Sequence, residues 1–337
     1  MYRIVTLFAL VAVSFGASLK NCNPFENVKA TIYTGSENDP QIVTLTSKTD
    51  LSDAYKVEIE NQKIDELCNG ALAHLKKLDT LMIKNSNLKS IAPGSFEGSD
   101  ELRVLDLTDN EIKQLPAGVF NNLNIRRVNL TNNQISDVDS SAFDNMPKLQ
   151  TVELSDNRIT KFDPAWFSNS PLVYRIVLDR NQVKSLPKDA LKHLAESSTR
   201  KQKIQLWLSE NQINDVHPLA FRNIDEIEAL WLDQNKIVAL SDTTLQGVKL
   251  GRLSLNENML TCISDIFLSN LSVKDLMLDM NPMDCDCLRK IRKWAASNSV
   301  DMTAIRRGLE CARESINKAF KAQKQYYEDK LEIERRF

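Results

Sequence analysis

Apolar and polar positions along this chain follow one phrase that returns about every 24 residues. One copy runs Leu102, Leu105, Leu107, Asn110, Ile112, Leu115, Phe120, and the next runs Ile125, Val128, Leu130, Asn133, Ile135, Val138, Phe143. Copies begin near Ala54, Leu78, Leu102, Ile125, Leu149, Val173, Lys203, Ile227, Leu250 and Val273, about ten in all. A period in this range marks a solenoid, in which each unit buries its apolar face only by stacking on its neighbours. Each copy opens on an alternation such as Val152-Glu153-Leu154. That period of two predicts a short strand with alternate side chains buried, and the strands of successive copies stack in parallel.

Two further positions are structural. Asn110, Asn133, Asn157, Asn181, Asn211, Asn235, Asn258 and Asn281 recur where the chain leaves the strand; there a side-chain amide can satisfy backbone groups that the interior hides from water. Phe96, Phe120, Phe143, Phe167 and Phe221 share another position and are expected to form a stacked spine under the convex side. From Ala54 to Asn281 the chain resembles the extracellular leucine-rich-repeat proteins. The resemblance implies an α/β fold, a right-handed leucine-rich-repeat horseshoe with a parallel sheet on its concave face. The expected organisation is a signal peptide over 1–18, an N-terminal cap over 19–53, about ten repeats over 54–281, a cysteine cap over 282–311 and an amphipathic helix over 312–337.

The signal peptide rests on Arg3, the apolar run Ile4 to Phe15 and the small residues Gly16-Ala17-Ser18. It predicts a secreted, extracellular protein, and no later segment approaches the roughly 20 apolar residues of a membrane span. Lys330 to Phe337 is too polar for a lipid-anchor signal. A formal net charge of −2 argues against nucleic acid as a partner. Between Leu191 and Lys203 one repeat is longer by about six residues, Glu196 to Lys201, read as a tolerated surface insertion.

End turns of a solenoid expose a raw apolar face and need caps. Lys29 to Tyr33 and Gln41 to Ser47 read as strands of a hairpin joined through the turn-rich string Gly35 to Pro40. Six cysteines in an exported chain point to disulfides. Cys262 and Cys285 occupy the same repeat position in neighbouring turns, close enough to be bridged, and this register pairs them. Cys287 is then left for Cys311, and Cys22 for Cys68 at the other end. Asn281-Pro282-Met283-Asp284-Cys285-Asp286-Cys287 followed by Trp294 resembles the start of the C-terminal cap of the same family, which generally has two further cysteines where only Cys311 follows. Zinc is the competing reading of Cys-x-Cys, disfavoured by the compartment and the absence of a nearby His.

Catalytic chemistry finds little support. His74, His193 and His217 lie in connecting segments with no partner at motif spacing, and no nucleophile elbow, phosphate loop or paired-His motif occurs. The chain is therefore expected to be no enzyme and to hold no cofactor or metal. Attention moves to the concave face, where alternation points the central strand residues Glu58, Met82, Asp106, Asn129, Glu153, Val177, Trp207, Trp231, Ser254 and Met277 outward. Two tryptophans in adjacent turns have the composition of an interface anchor, or else shield the sheet and each other. Val177 precedes them, Arg175 and Arg252 flank them, and Asp179, Asp233 and Asp279 line the following position. Asn129-Leu130-Thr131 is a glycosylation acceptor on the same face, where a glycan would obstruct the N-terminal half and leave the aromatic half open. A second acceptor, Asn270-Leu271-Ser272, lies outside the strands.

From Ile305 to Phe337 a heptad of mostly apolar residues predicts a helix with a wide apolar stripe, suited to docking on the protein itself or to forming an oligomer. Signal, repeats, cysteine junction and terminal helix in this order resemble the secreted leucine-rich immune proteins of insects, without their paired adjacent cysteines and long coil. The expectation is a recognition protein that binds a protein or pathogen-surface ligand through its concave face, with innate immunity as the setting that the resemblance implies. An extracellular structural or adhesive scaffold is the alternative.

Overall fold

A computed structural model describes residues 24–35, 40–46, 49–195 and 202–302, with 311, 321, 323 and 325 beyond them. One twelve-stranded sheet runs its whole length. In chain order its strands are β1 (Val28–Tyr33), β2 (Pro40–Leu45), β3 (Lys56–Glu60), β4 (Thr80–Lys84), β5 (Val104–Asp106) and β6 (Arg127–Asn129). Then come β7 (Thr151–Glu153), β8 (Arg175–Val177), β9 (Ile204–Trp207), β10 (Glu226–Trp231), β11 (Lys249–Ser254) and β12 (Ser272–Met277). Strands β3 to β12 pair in parallel, each with the next, so among the described residues ten rungs enclose nine turns.

The repeat phrase explains the core. The first three leucine-type positions of the copies, such as Leu102, Leu105 and Leu107, are buried, with the exposed Lys203 as the exception. The ladder asparagines act as expected. Asn157 Nδ2 donates to the carbonyls of Leu130, Leu154 and Ser155, while its Oδ1 accepts from Ile135 N. The same set recurs around Asn181, Asn211 and Asn235. Each ladder Asn follows a residue in the left-handed region: Asp109, Asn132, Asp156, Arg180, Glu210, Gln234, Glu257 and Met280, with φ between 51° and 59°. A non-glycine residue held there costs on the order of 1 kcal/mol, which the bonds of the neighbouring amide offset.

On the convex side Phe96, Phe120, Phe143 and Phe167 stack with centroids 5.6–5.9 Å apart. Leu191 takes that position in the next repeat and separates the equally buried Phe221 from the stack. The N-terminal hairpin forms: β1 pairs antiparallel with both β2 and β3 and so closes the first rung.

At the other end stand two capped helices, α2 (Asp265–Asn270) after a short α1 (Lys192–Ala195), and α3 (Cys285–Ser297). Asp284 is the N-cap of α3, its carboxylate accepting from Cys287 N at 2.7 Å. This helix overturns the pairing expected from repeat register. Cys262 is bonded to Cys287 and Cys285 to Cys311, with Cα separations of 5.6 and 5.3 Å. Register treated Cys285 as a strand-phase residue, but it opens a helix, in which positions two apart point about 200° away from each other. Cys287, almost wholly buried, therefore faces the last turn and Cys262, while Cys285 points the other way, to Cys311. Cys68 is disulfide-bonded, and its expected partner Cys22 lies outside the described residues. So do the signal segment 1–18, the Glu196 to Lys201 insertion and, apart from isolated positions, the tail 312–337.

Candidate functional site

Backbone pairing sets the concave face. Glu58, Met82, Asp106, Asn129, Glu153, Val177, Trp207, Trp231, Ser254 and Met277 form one continuous column in register across β3 to β12. Trp207 and Trp231 are half-buried neighbours in it. Their rings stack with centroids 5.1 Å apart and planes at 25°. Arg175 lies over the outer face of Trp207 at 4.9 Å and Arg252 lies by Trp231 at 5.6 Å. Four strands thus carry one Arg–Trp–Trp–Arg stack, with each cation where the negative face of an indole attracts it. Arg175 also donates to Gln205 Oε1 at 2.9 Å, and Arg252 reaches Asp275 at 3.4 Å.

Val177 does not join the exposed set. It pairs in register with Trp207 and is only 8 % exposed, so it is floor beneath its neighbours and offers no free contact surface. Ser254, next to Trp231 on the other side, is fully buried. Its Oγ and the Nε1 atoms of both tryptophans are buried without a hydrogen-bond partner among the described residues.

The acidic residues line the far edge of the same strands. Ser209 ties two of them together: its N–H donates to Asp179 Oδ1 at 2.8 Å and its hydroxyl to Asp233 Oδ1 at 2.9 Å. Burial pushes the Asp179 carboxyl up to about 6, against the pull of the Ser209 N–H and the Arg180 guanidinium, with Asp233 adding to the rise. Asn129 sits three strands before Trp207, its Oδ1 accepting from Thr131 N at 3.0 Å; Asn270 ends α2 and donates to the Asp242 carbonyl.

Along the opposite edge a hollow of about 440 Å³ opens beside the tryptophans, reaching from Lys203 to Asp275. Sequence reasoning missed it because its shape comes from a slip of register. Between β9 and β10 the pairing shifts by one residue, Ile204 meeting Ile227 but Gln205 meeting Ala229. Glu228 is left without a partner in β9, where Ile204 and Leu206 stand two residues apart against three in the neighbouring repeats, and the ladder bulges there. In β11 the matching residue is Gly251, where a Cβ would come within 2.5 Å of the Glu228 carbonyl oxygen. The floor there must be bare backbone.

The three histidines stay apart from this face. His193 Nε2 is hydrogen-bonded with Ser168 Oγ, and His217 Nδ1 accepts from Leu219 N, closing a turn. Among the described residues no group of three or more His, Cys, Asp or Glu could hold a metal ion, and no helix is long and apolar enough to cross a membrane.

A family profile described as leucine rich repeat matches residues 54–112, 100–158, 124–183 and 147–199. With the stacked rungs and asparagine ladder, this settles the architecture. The chain is a leucine-rich-repeat solenoid. Over 169 residues it is 24% identical to the leucine-rich repeat transmembrane protein FLRT2 of Rattus norvegicus, a match that spans 50% of this chain and 24% of that protein. Two solved structures share the solenoid fold. One is from the complex of Toll with Spatzle, described as a hub in Drosophila development and innate immunity (TM-score 0.55, 23% identity, 72% of this chain and 36% of that one). The other is from the octameric complex of Latrophilin 3, Unc5D and FLRT2 (TM-score 0.51, 20% identity, 73% of this chain and 68% of that one).

Proposed function

We propose that this solenoid is a secreted, non-enzymatic recognition protein that binds a protein ligand through the C-terminal half of its concave face, anchored on Trp207 and Trp231. The observation that carries this reading is the half-exposed Arg–Trp–Trp–Arg stack on that face. Tryptophan and arginine dominate binding hot spots, because a flat ring gives a large contact area at little entropic cost. Support also comes from the similar solenoids solved together with protein partners: Toll with Spatzle, and FLRT2 with Latrophilin 3 and Unc5D. By the same analogy a ligand in innate immunity is the first to seek. A glycan on Asn129 would cover the N-terminal half of the column and direct ligands to the aromatic half.

The test is capture from extracellular fluid with wild type, Trp207→Ala and Trp231→Ala. Loss of one ring removes the aromatic stack and one cation contact, about 1–2 kcal/mol of stability, so both variants should fold. Binding of a recovered partner should weaken roughly 30-fold or more. Met82→Ala, in the same column on β4, is the control, since Glu58 is engaged by Tyr33 and Lys56. Unchanged affinity in both tryptophan variants would place the ligand elsewhere; retention in matrix without a stoichiometric partner would favour a scaffold.

A further inference from the structure

The hollow beside the tryptophans has an uneven charge balance. Lys203 reaches Glu226 at 2.8 Å and Glu228 at 3.8 Å; its hydrogen bond, with smaller pulls from the charges of Lys249 and Lys274, holds the Glu226 carboxyl below its ordinary range, and Arg252 faces Asp275. The acids of this rim are thereby already partnered. Two cations are not: Lys249 and Lys274 are exposed and make no ion pair among the described residues. Both border Gly251, Lys249 two residues before it on β11 and Lys274 opposite it on β12. Adjacent strands are about 4.8 Å apart, so a single carboxylate above the bare glycine backbone lies within reach of both ammonium groups.

The third wall is aromatic, since Trp207 and Trp231 line the same hollow. Gly251 matters to its shape, because any side chain there would collide with the Glu228 backbone and fill the floor. Two ammonium groups over one hollow match one carboxylate at a time. They do not form the long basic stripe that an extended polyanion requires.

We infer that this hollow is a subsite for an acidic side chain of the protein ligand, seated over Gly251 between Lys249 and Lys274, with a neighbouring flat side chain of the ligand packed on Trp231. The inference rests on the concave-face reading above and adds the chemistry of the partner: a segment in which Asp or Glu adjoins an aromatic residue. Such a segment satisfies both the unpaired cations and the open ring surface, whereas an acidic or an aromatic segment alone satisfies only one.

The experiment uses the full secreted chain and defined copolymers, measured by tryptophan fluorescence and calorimetry at low and high salt. Random poly(Glu,Tyr) should bind at least tenfold more tightly than polyglutamate, poly(Lys,Tyr) or heparin, and salt should weaken it. Lys249→Glu with Lys274→Glu should weaken poly(Glu,Tyr) at least tenfold while leaving the melting temperature and the near-ultraviolet dichroism of the stacked tryptophans unchanged. Tighter binding of heparin or poly(Lys,Tyr) would overturn the inference. If the lysine variant binds poly(Glu,Tyr) like wild type while Trp231→Ala loses it, the acidic subsite falls and the aromatic anchor stands. If neither variant alters binding, both readings fail for this ligand class.

Discussion

Asp179 offers a test in which the structure fixes both sign and size. Its carboxyl is pushed from the usual 3.8 up to about 6, chiefly because the folded chain removes it from water. Between those two values the folded protein holds a proton that the unfolded chain has released. Stability from this group is therefore complete below pH 3.8 and is lost as pH rises through 6. Such a displacement corresponds to about 3 kcal/mol for a fully shielded group, and partial exposure of Asp179 reduces this to about 1–2 kcal/mol. Asparagine keeps the oxygen that accepts from Ser209 N and removes the charge. Asp179→Asn should thus be more stable than wild type at pH 7 by about 1–2 kcal/mol, a few degrees in melting temperature, with the gap closing near pH 4. Thermal and urea unfolding at unit steps from pH 4 to 7 measure this. A variant no more stable than wild type at pH 7, or a difference that does not change with pH, would refute the reasoning.

Three further outcomes follow from the scaffold. Asn157→Ala strands four buried backbone groups and should cost about 3 kcal/mol or more, with faster hydrogen exchange at the Ile135 amide whose acceptor is lost. Peptide mapping should return Cys262 joined to Cys287 and Cys285 joined to Cys311, and Cys262→Ser should cost about 2–4 kcal/mol; a peptide joining Cys262 to Cys285 would contradict the helix-phase argument. Gly251→Ala should destabilise by about 1–3 kcal/mol and disturb the dichroism of the stacked tryptophans, since its Cβ meets backbone that cannot swing aside.

What the sequence made legible is what depends on period alone. The asparagine ladder, the phenylalanine stack and the adjacency of Trp207 and Trp231 all follow once the repeat is aligned, because a parallel solenoid turns equal phase into contact. Three features depended on something else. The bonding of Cys285 and Cys287 turned on where a helix begins, and Asp284 as N-cap was the available signal. The burial of Val177 comes from side chains on neighbouring strands, which alternation along its own strand does not register. The subsite residues Lys249, Gly251 and Lys274 went unseen because a fixed phase hides a slip of register; the two-residue spacing of Ile204 and Leu206, against three in the neighbouring repeats, was its trace.

Strand length and interior packing, which most folds tie together, vary separately along this solenoid. Strands β5 to β8 are three residues long, whereas β10, β11 and β12 are six, yet the buried leucines behind both groups occupy the same ladder. Each rung contacts only its neighbours, so a strand that pairs further at its start widens the display surface without asking the interior to repack. Lineages carrying such a solenoid can therefore explore new ligands by editing strand beginnings one residue at a time, while the hidden side of every rung stays under its original constraint.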